Sequence, residues 1–296
     1  MVGYVQQMHH ERAARARERD VSSALQRSLL PTLPELPGIT CAARYLVGAQ
    51  HAQVGGDWYD LFALPDRAIG LAIGDVMGHD LAAAAAMGQL RSVLRSYAYE
   101  GSSPPVVLDR LDRLVQDFEM AQLATAIYGR LELDNGSAML MFSSAGHLPP
   151  LKRCPDGTVS QLRRGAAPLI GAVPPGRARR GEAAVALPAG SLLLLYTDGL
   201  VESRDRDIDQ GIDALSAVLA GLDLLASPEQ VCEAVLTAMA WEGQGDDIAV
   251  LALSIDHHSR TEYRTASWEA TRSAPQRAWK AGPAWPSSGG RRRCTA

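Results

Sequence analysis

The sequence has no apolar run long enough to cross a bilayer. The longest, such as Leu81–Met87 and Leu192–Tyr196, fall well short of the ~20 residues a span needs. Its first residues show no apolar core of the secretory-signal kind. Cysteine is scarce: Cys41, Cys154, Cys232 and Cys294 lie far apart with no CxxC pair. That argues against a zinc site or a disulfide framework and for a reducing, cytoplasmic setting. No internal repeat is evident. A dominant charge is missing too. With 29 Lys/Arg against 33 Asp/Glu the net charge is −4, so no overall cationic field draws nucleic acid.

What is present suits a packed protein. Hydrophobic residues make up 47% of the chain and charged residues 21%. The 296 residues fit one or two domains at ~150 residues each. The mild net charge is a cancellation. From His257 to Ala296 there are eight Lys/Arg and two Asp/Glu, a balance of +6, so residues 1–256 carry −10.

Three regions follow. Residues 1–37 read as an N-terminal helix and a Pro-rich linker. Positions 10–30 are rich in Ala, Arg, Glu and Leu, good helix formers. Val21, Leu25 and Leu29 recur at spacing four, and Pro31, Pro34 and Pro37 then stop the helix. This helix either mediates dimerisation or activator docking, or packs on its own domain. Residues 257–296 lack periodicity and are rich in Pro, Gly, Ser and Arg, which predicts a disordered basic tail. Residues 38–256 form the main body. Ile39, Cys41, Ala43, Tyr45 and Val47 alternate as in a half-buried strand. Hairpins are expected around Pro65-Asp66-Arg67 and Asp134-Asn135-Gly136. Residues 191–197 and 248–255 suit central strands, and helices are expected near 81–99, 105–121, 210–225 and 228–241. Short hairpins with helices in blocks give an α+β layered domain with mostly antiparallel pairing.

Four Asp–Gly punctuation points lie on this framework: Gly55-Gly56-Asp57, Gly74-Asp75, Asp198-Gly199 and Gly245-Asp246-Asp247. Singly, each reads as a turn. Together they carry more. With the first hairpin centred on Asp66, Asp57 falls directly opposite Asp75, with Cβ atoms ~5 Å apart. Two ionised carboxylates at that distance repel, and a divalent cation would neutralise them. Asp57 and Asp246 begin strands, whereas Asp75 and Asp198 end them. In an antiparallel sheet those ends share an edge, so all four acids can gather at one rim. Oxygen ligands without His or Cys suit Mg²⁺ or Mn²⁺, and such a cluster suits water activation and phosphoryl transfer.

These motifs, with Ser144-Ala145-Gly146-His147-Leu148-Pro149-Pro150 and Tyr196-Thr197-Asp198-Gly199, resemble in order and spacing the SpoIIE-like (RsbU-like) branch of the PPM metal-dependent Ser/Thr phosphatases. The resemblance runs from about Ile39 to Ile255. It implies two packed antiparallel β-sheets flanked by helices, an α/β/β/α sandwich. It implies two Mn²⁺ or Mg²⁺ ions and a water, activated by them, that attacks phosphoserine or phosphothreonine. The substrate it implies is a phosphorylated regulatory protein of the anti-anti-sigma (STAS) type. By resemblance, Asp57, Asp75, the Val76 carbonyl, Asp198 and Asp246 hold the metals; Gly56, Gly199, Asp247 and Asp80 are candidates for a place behind them. Asp247 occupies a place where many relatives have Asn. Asp80 replaces a usual Gly and is expected to cap the following helix, a role worth ~1 kcal/mol. His147 is expected to be structural. Asp60, on the opposite strand face from Asp57, is expected in a structural ion pair. The rival functions are a PPM-fold adaptor without turnover and another two-metal phosphohydrolase. The retained acids argue against the first, and the acidic body argues against nucleic acid as a substrate of the second.

Overall fold

The structure, a computed structural model, describes residues 30–48, 55–78, 81–118, 120, 123–134, 136–174, 177, 180–203, 206–239 and 246–256. The predicted helix over 10–30 falls almost wholly outside them, and so do Asp80 and the basic tail.

Among the described residues eleven strands form two sheets. β1 (Ile39–Leu46), β11 (Ile248–Ile255), β10 (Leu192–Tyr196), β6 (Leu151–Arg153) and β7 (Val159–Gln161) make one, in that spatial order. The second runs β2 (Asp57–Ala63), β3 (Ile69–Val76), β4 (Ala124–Asp134), β5 (Ser137–Ala145), β8 (Ala166–Ala167), with β9 (Ala183–Leu187) also paired to β5. Pairing is antiparallel throughout except β5 with β8, which is parallel. Among the described residues four α-helices flank the sheets: α1 (Leu81–Tyr99), α2 (Pro104–Phe118), α3 (Ile208–Gly221) and α4 (Pro228–Met239). None of the helices among the described residues is long and apolar enough to cross a membrane.

The strand period of two sorts side chains into three apolar layers. Tyr59, Leu61, Leu71 and Ile73 from the second sheet meet Leu193, Leu195, Leu251 and Leu253 from the first. The alternate residues Trp58, Phe62 and Ala72 pack under α1 and α2 against Met87, Leu90 and Leu111. Leu192, Leu194 and Val250 pack under α3 and α4 against Leu215, Leu219 and Val235. Central strands are therefore covered on both faces, which is why Leu192–Tyr196 is continuously apolar. Leu30, Leu33 and Leu36 also pack on the inter-sheet layer. The expected linker is, over these residues, part of the sandwich.

The main hairpins fall where the sequence places them. Asp57 pairs with Asp75 in register, and the β4–β5 turn sits at Asp134 and Ser137. Strands β6 to β9, two to five residues each, were not anticipated, because pieces so short show no period. α3 starts earlier than expected because Asp207 and Gln210 form a reciprocal capping box. Its far end is held by Arg153, which donates to the carbonyls of Leu219, Leu222, Asp223 and Leu224.

Asp60 turns away from Asp57, toward the helices. Its side chain is fully buried and accepts from Arg95 Nε at 3.0 Å, from the Arg95 terminal nitrogen, and from the Leu61 N–H. Arg95 also lies over the Phe62 ring, 4.9 Å from its centroid. Arg95→Met leaves that carboxylate in an apolar layer without its partner, so a loss of about 3 kcal/mol is expected, read from urea unfolding curves.

Candidate metal centre

The site forms at the end of the sandwich where β2 starts, β3 ends, β10 ends and β11 starts. Asp57, Asp75 and Asp198 each present a carboxylate oxygen, all within 4.8 Å of one another. The first two come from one sheet. The third follows β10 of the other sheet, in a single 3₁₀ turn over Asp198–Leu200. Asp246 is exposed and stands outside this trio, although its charge acts on both Asp75 and Asp198. Its Oδ1 accepts from the Asp247 N–H at 2.9 Å. Asp247 is buried and accepts from the Gly48 N–H.

Glycine is required where the backbone closes in on these acids. A Cβ on Gly56 would lie 2.1 Å from the Val76 carbonyl oxygen and 2.9 Å from Asp75 Oδ1. A Cβ on Gly55 would lie 1.4 Å from Asp247 Oδ2. The Gly199 N–H donates to Asp198 Oδ1 at 2.9 Å.

Thr197, given no role from the sequence, and His147, expected there to be structural, complete the frame. Thr197 is fully buried and donates its hydroxyl proton to Asp57 Oδ2 at 2.7 Å, while its oxygen accepts from the Ala249 N–H at 2.8 Å. This bond crosses from one sheet to the other. The available signal was a lone hydroxyl closing an apolar run, beside an Asp. His147 contacts Thr125 Oγ1 through Nδ1 at 2.7 Å and the Tyr196 carbonyl through Nε2 at 3.2 Å. A carbonyl only accepts, so Nε2 carries the proton and Nδ1 accepts from Thr125. Burial lowers the His147 pKa to about 4, which keeps the ring neutral.

The electrostatics of the trio are one-sided. Desolvation, then repulsion from Asp75 and Asp198, raises Asp57 well above the usual carboxylate range, against the Thr197 bond that lowers it. Desolvation and repulsion from Asp198 raise Asp75 to about 7, although it accepts a hydrogen bond from Asp57. Asp198 is raised by burial and by Asp246. The charged neighbours that act most strongly on all three are carboxylates. Such a set, all hard oxygen, fits a divalent cation.

Residues 65–256 match the family model described as Stage II sporulation protein E (SpoIIE). The chain belongs to the SpoIIE family. Over 156 residues it is 30% identical to the phosphoserine phosphatase RsbP of Bacillus subtilis, a match covering 51% of this chain and 38% of RsbP. A solved structure of RsbU and RsbW domains from Mycobacterium tuberculosis superposes with a TM-score of 0.67 at 29% identity, covering 78% of this chain and 64% of that one. The PP2C phosphatase domain of Bacillus subtilis SpoIIE, solved with a fragment of its regulatory domain, gives a TM-score of 0.64 at 20% identity, covering 75% and 64%. The SpoIIE-family sandwich is thus the PPM (PP2C) fold. The chain spans between a third and a half of the length of the curated relatives it matches.

The raised carboxyl groups set a pH dependence. Unfolded Asp gives up its proton near pH 4, whereas folded Asp57 and Asp75 keep theirs to higher pH, Asp75 to about 7. Folding then takes up protons in that window, so the stability of the metal-free protein falls as pH rises from about 4 to about 7. Calorimetric melting temperatures should decline across the window, and Asp75→Asn should flatten the slope.

Proposed function

We propose that this chain is a divalent-cation-dependent protein serine/threonine phosphatase. Its body, residues 38–256, hydrolyses phosphoserine or phosphothreonine on a regulatory protein of the anti-anti-sigma (STAS) type, in the cytoplasm. The observation that carries the reading is the trio Asp57, Asp75 and Asp198, drawn from both sheets with carboxylate oxygens within 4.8 Å of one another. Support for the substrate class comes from the phosphoserine phosphatase RsbP and from the structure that contains RsbU and RsbW domains.

In this reading the trio, the Val76 carbonyl and Asp246 hold two Mn²⁺ or Mg²⁺ ions. When bound, these supply Lewis-acid polarisation of the phosphoryl oxygens and a water acidic enough to attack in line at neutral pH. The protein's own residues do the rest. Asp57 and Asp75 release their protons as the site loads, so cation affinity rises with pH. Thr197 holds Asp57 in one orientation. Gly56 leaves the Val76 carbonyl open to the site, and the Gly199 N–H orients Asp198. The chemistry needs no cysteine nucleophile. Burial raises the Cys41 thiol and pushes that of Cys232 up to about 11, which keeps both protonated.

The wild-type protein, stripped of metal, is expected to hydrolyse p-nitrophenyl phosphate only after Mn²⁺ or Mg²⁺ is restored. Asp75→Asn should lower kcat/KM at least ~100-fold, the several kcal/mol that metal stabilisation of the transition state supplies. Equal activity in both proteins, or none with either cation, overturns the assignment. Preference for a nucleotide over a phosphoserine protein in the same assay overturns the substrate class.

A further inference from the structure

We infer that His147 is a positioning residue that sets the distance between the two halves of the carboxylate site. The inference rests on the metal-centre reading above and concerns how that centre is kept in shape.

The site has a mechanical problem. Asp57 and Asp75 belong to one sheet, and Asp198 follows a strand of the other. Their mutual repulsion and that of Asp246 push the two sheets apart at this end. An apolar layer resists that only weakly in direction, because hydrophobic contact is not directional. Directional bonds are needed across the gap at the rim.

His147 stands where the chain itself crosses the gap. β5 ends at Ala145 in the second sheet, and β6 begins at Leu151 in the first. Gly146 turns the chain with φ +66, and a Cβ there would lie 2.6 Å from Leu169 Cβ, so this corner is closed to other residues. The imidazole then reaches both sheets at once. Its Nδ1 accepts from Thr125, the residue paired in register with Asp75. Its Nε2–H donates to the Tyr196 carbonyl, two residues before Asp198. The Tyr196 hydroxyl fastens the same crossover by donating to the Pro149 carbonyl at 2.9 Å. The Ser144 hydroxyl donates to the His147 carbonyl at 3.2 Å. A core histidine chosen for packing alone needs only satisfied nitrogens. Here one nitrogen is joined to the residue paired across the ladder with Asp75, and the other to the strand that leads into Asp198, one in each sheet. With Thr197 to Asp57, this makes a second polar tie between the sheets at the site.

The bridge is a rigid ring with two fixed hydrogen bonds, so its loss lets Asp198 drift relative to Asp57 and Asp75. Groups that orient ligands in this way typically change metal affinity or activity 10- to 100-fold when removed. The test uses the full chain with Mn²⁺ as probe. Affinity is measured by isothermal titration, kcat and KM with p-nitrophenyl phosphate, and the melting temperature without metal. Thr125→Val removes one bond of the bridge at nearly constant volume, Thr125→Ser keeps the hydroxyl, and His147→Ala removes both bonds. Expected results are Mn²⁺ affinity ~10- to 100-fold weaker in Thr125→Val and His147→Ala, with kcat lowered and KM little changed. Thr125→Ser should recover most of the affinity lost in Thr125→Val. Adding Thr125→Val to His147→Ala should cost nothing further. If His147→Ala fails to fold, the two Thr125 variants decide. Wild-type Mn²⁺ affinity and kcat in Thr125→Val overturn the inference, as does a serine variant no better than the valine one. A wild-type protein that binds no cation overturns the metal-centre reading as well.

Discussion

Repulsion among closely set carboxylates governs this structure. Each pair in the trio, taken as ionised, repels by about 3 kcal/mol at an effective dielectric near 20. Among the described residues no Arg or Lys forms an ion pair with these carboxylates in the manner of Arg95 with Asp60. The protein offsets the repulsion with protons held by Asp57 and Asp75, with single hydrogen bonds from Thr197 and Gly199, and with a stiff frame. Elsewhere in the molecule acids are paired conventionally: Asp112 accepts from Arg180 at 2.7 Å and from the Gly171 N–H at 2.8 Å. The contrast marks the trio as a place built to receive positive charge from outside the chain.

The frame is supplied by layering. Two sheets share an apolar interior, each backed by a pair of helices, so every central strand is clamped on both faces. Active groups at the strand ends inherit that rigidity without lying inside it. The lead-in leucines at 30, 33 and 36 extend the inter-sheet layer beyond the strands. Residues 30–36 are therefore in contact with the same layer of side chains that separates the two sheets.

Much of this was legible in the residues, and the boundary of legibility has a physical cause. The pairing of Asp57 with Asp75 followed from hairpin arithmetic, because a tight turn fixes a ladder locally. Asp60 facing the opposite way followed from the same period. Strand polarity placed Asp198 at the same rim as these two, but within one sheet; the structure brings it there from the other sheet. What stayed hidden was every interaction that depends on one sheet facing another: Thr197 to Asp57, and His147 between Thr125 and Tyr196. Such contacts join positions 22 to 140 residues apart and leave no local pattern. Asp246 shows the same limit from the other side. Polarity brought it to the right edge, but not into the group of three. The short strands β6 to β9 were illegible because they are recruited by their neighbours rather than formed by their own sequence.

The direct pairing of Asp57 with Asp75 also makes the ladder a checkpoint. Side chains alternate faces, so a slip of one residue between β2 and β3 sends one of these acids toward the helices and the other toward the opposite sheet. No partly correct alignment retains a weakened trio. In a chain that has paired these strands in the wrong register the three carboxylates do not meet at all, so the trio is itself a record of correct strand alignment.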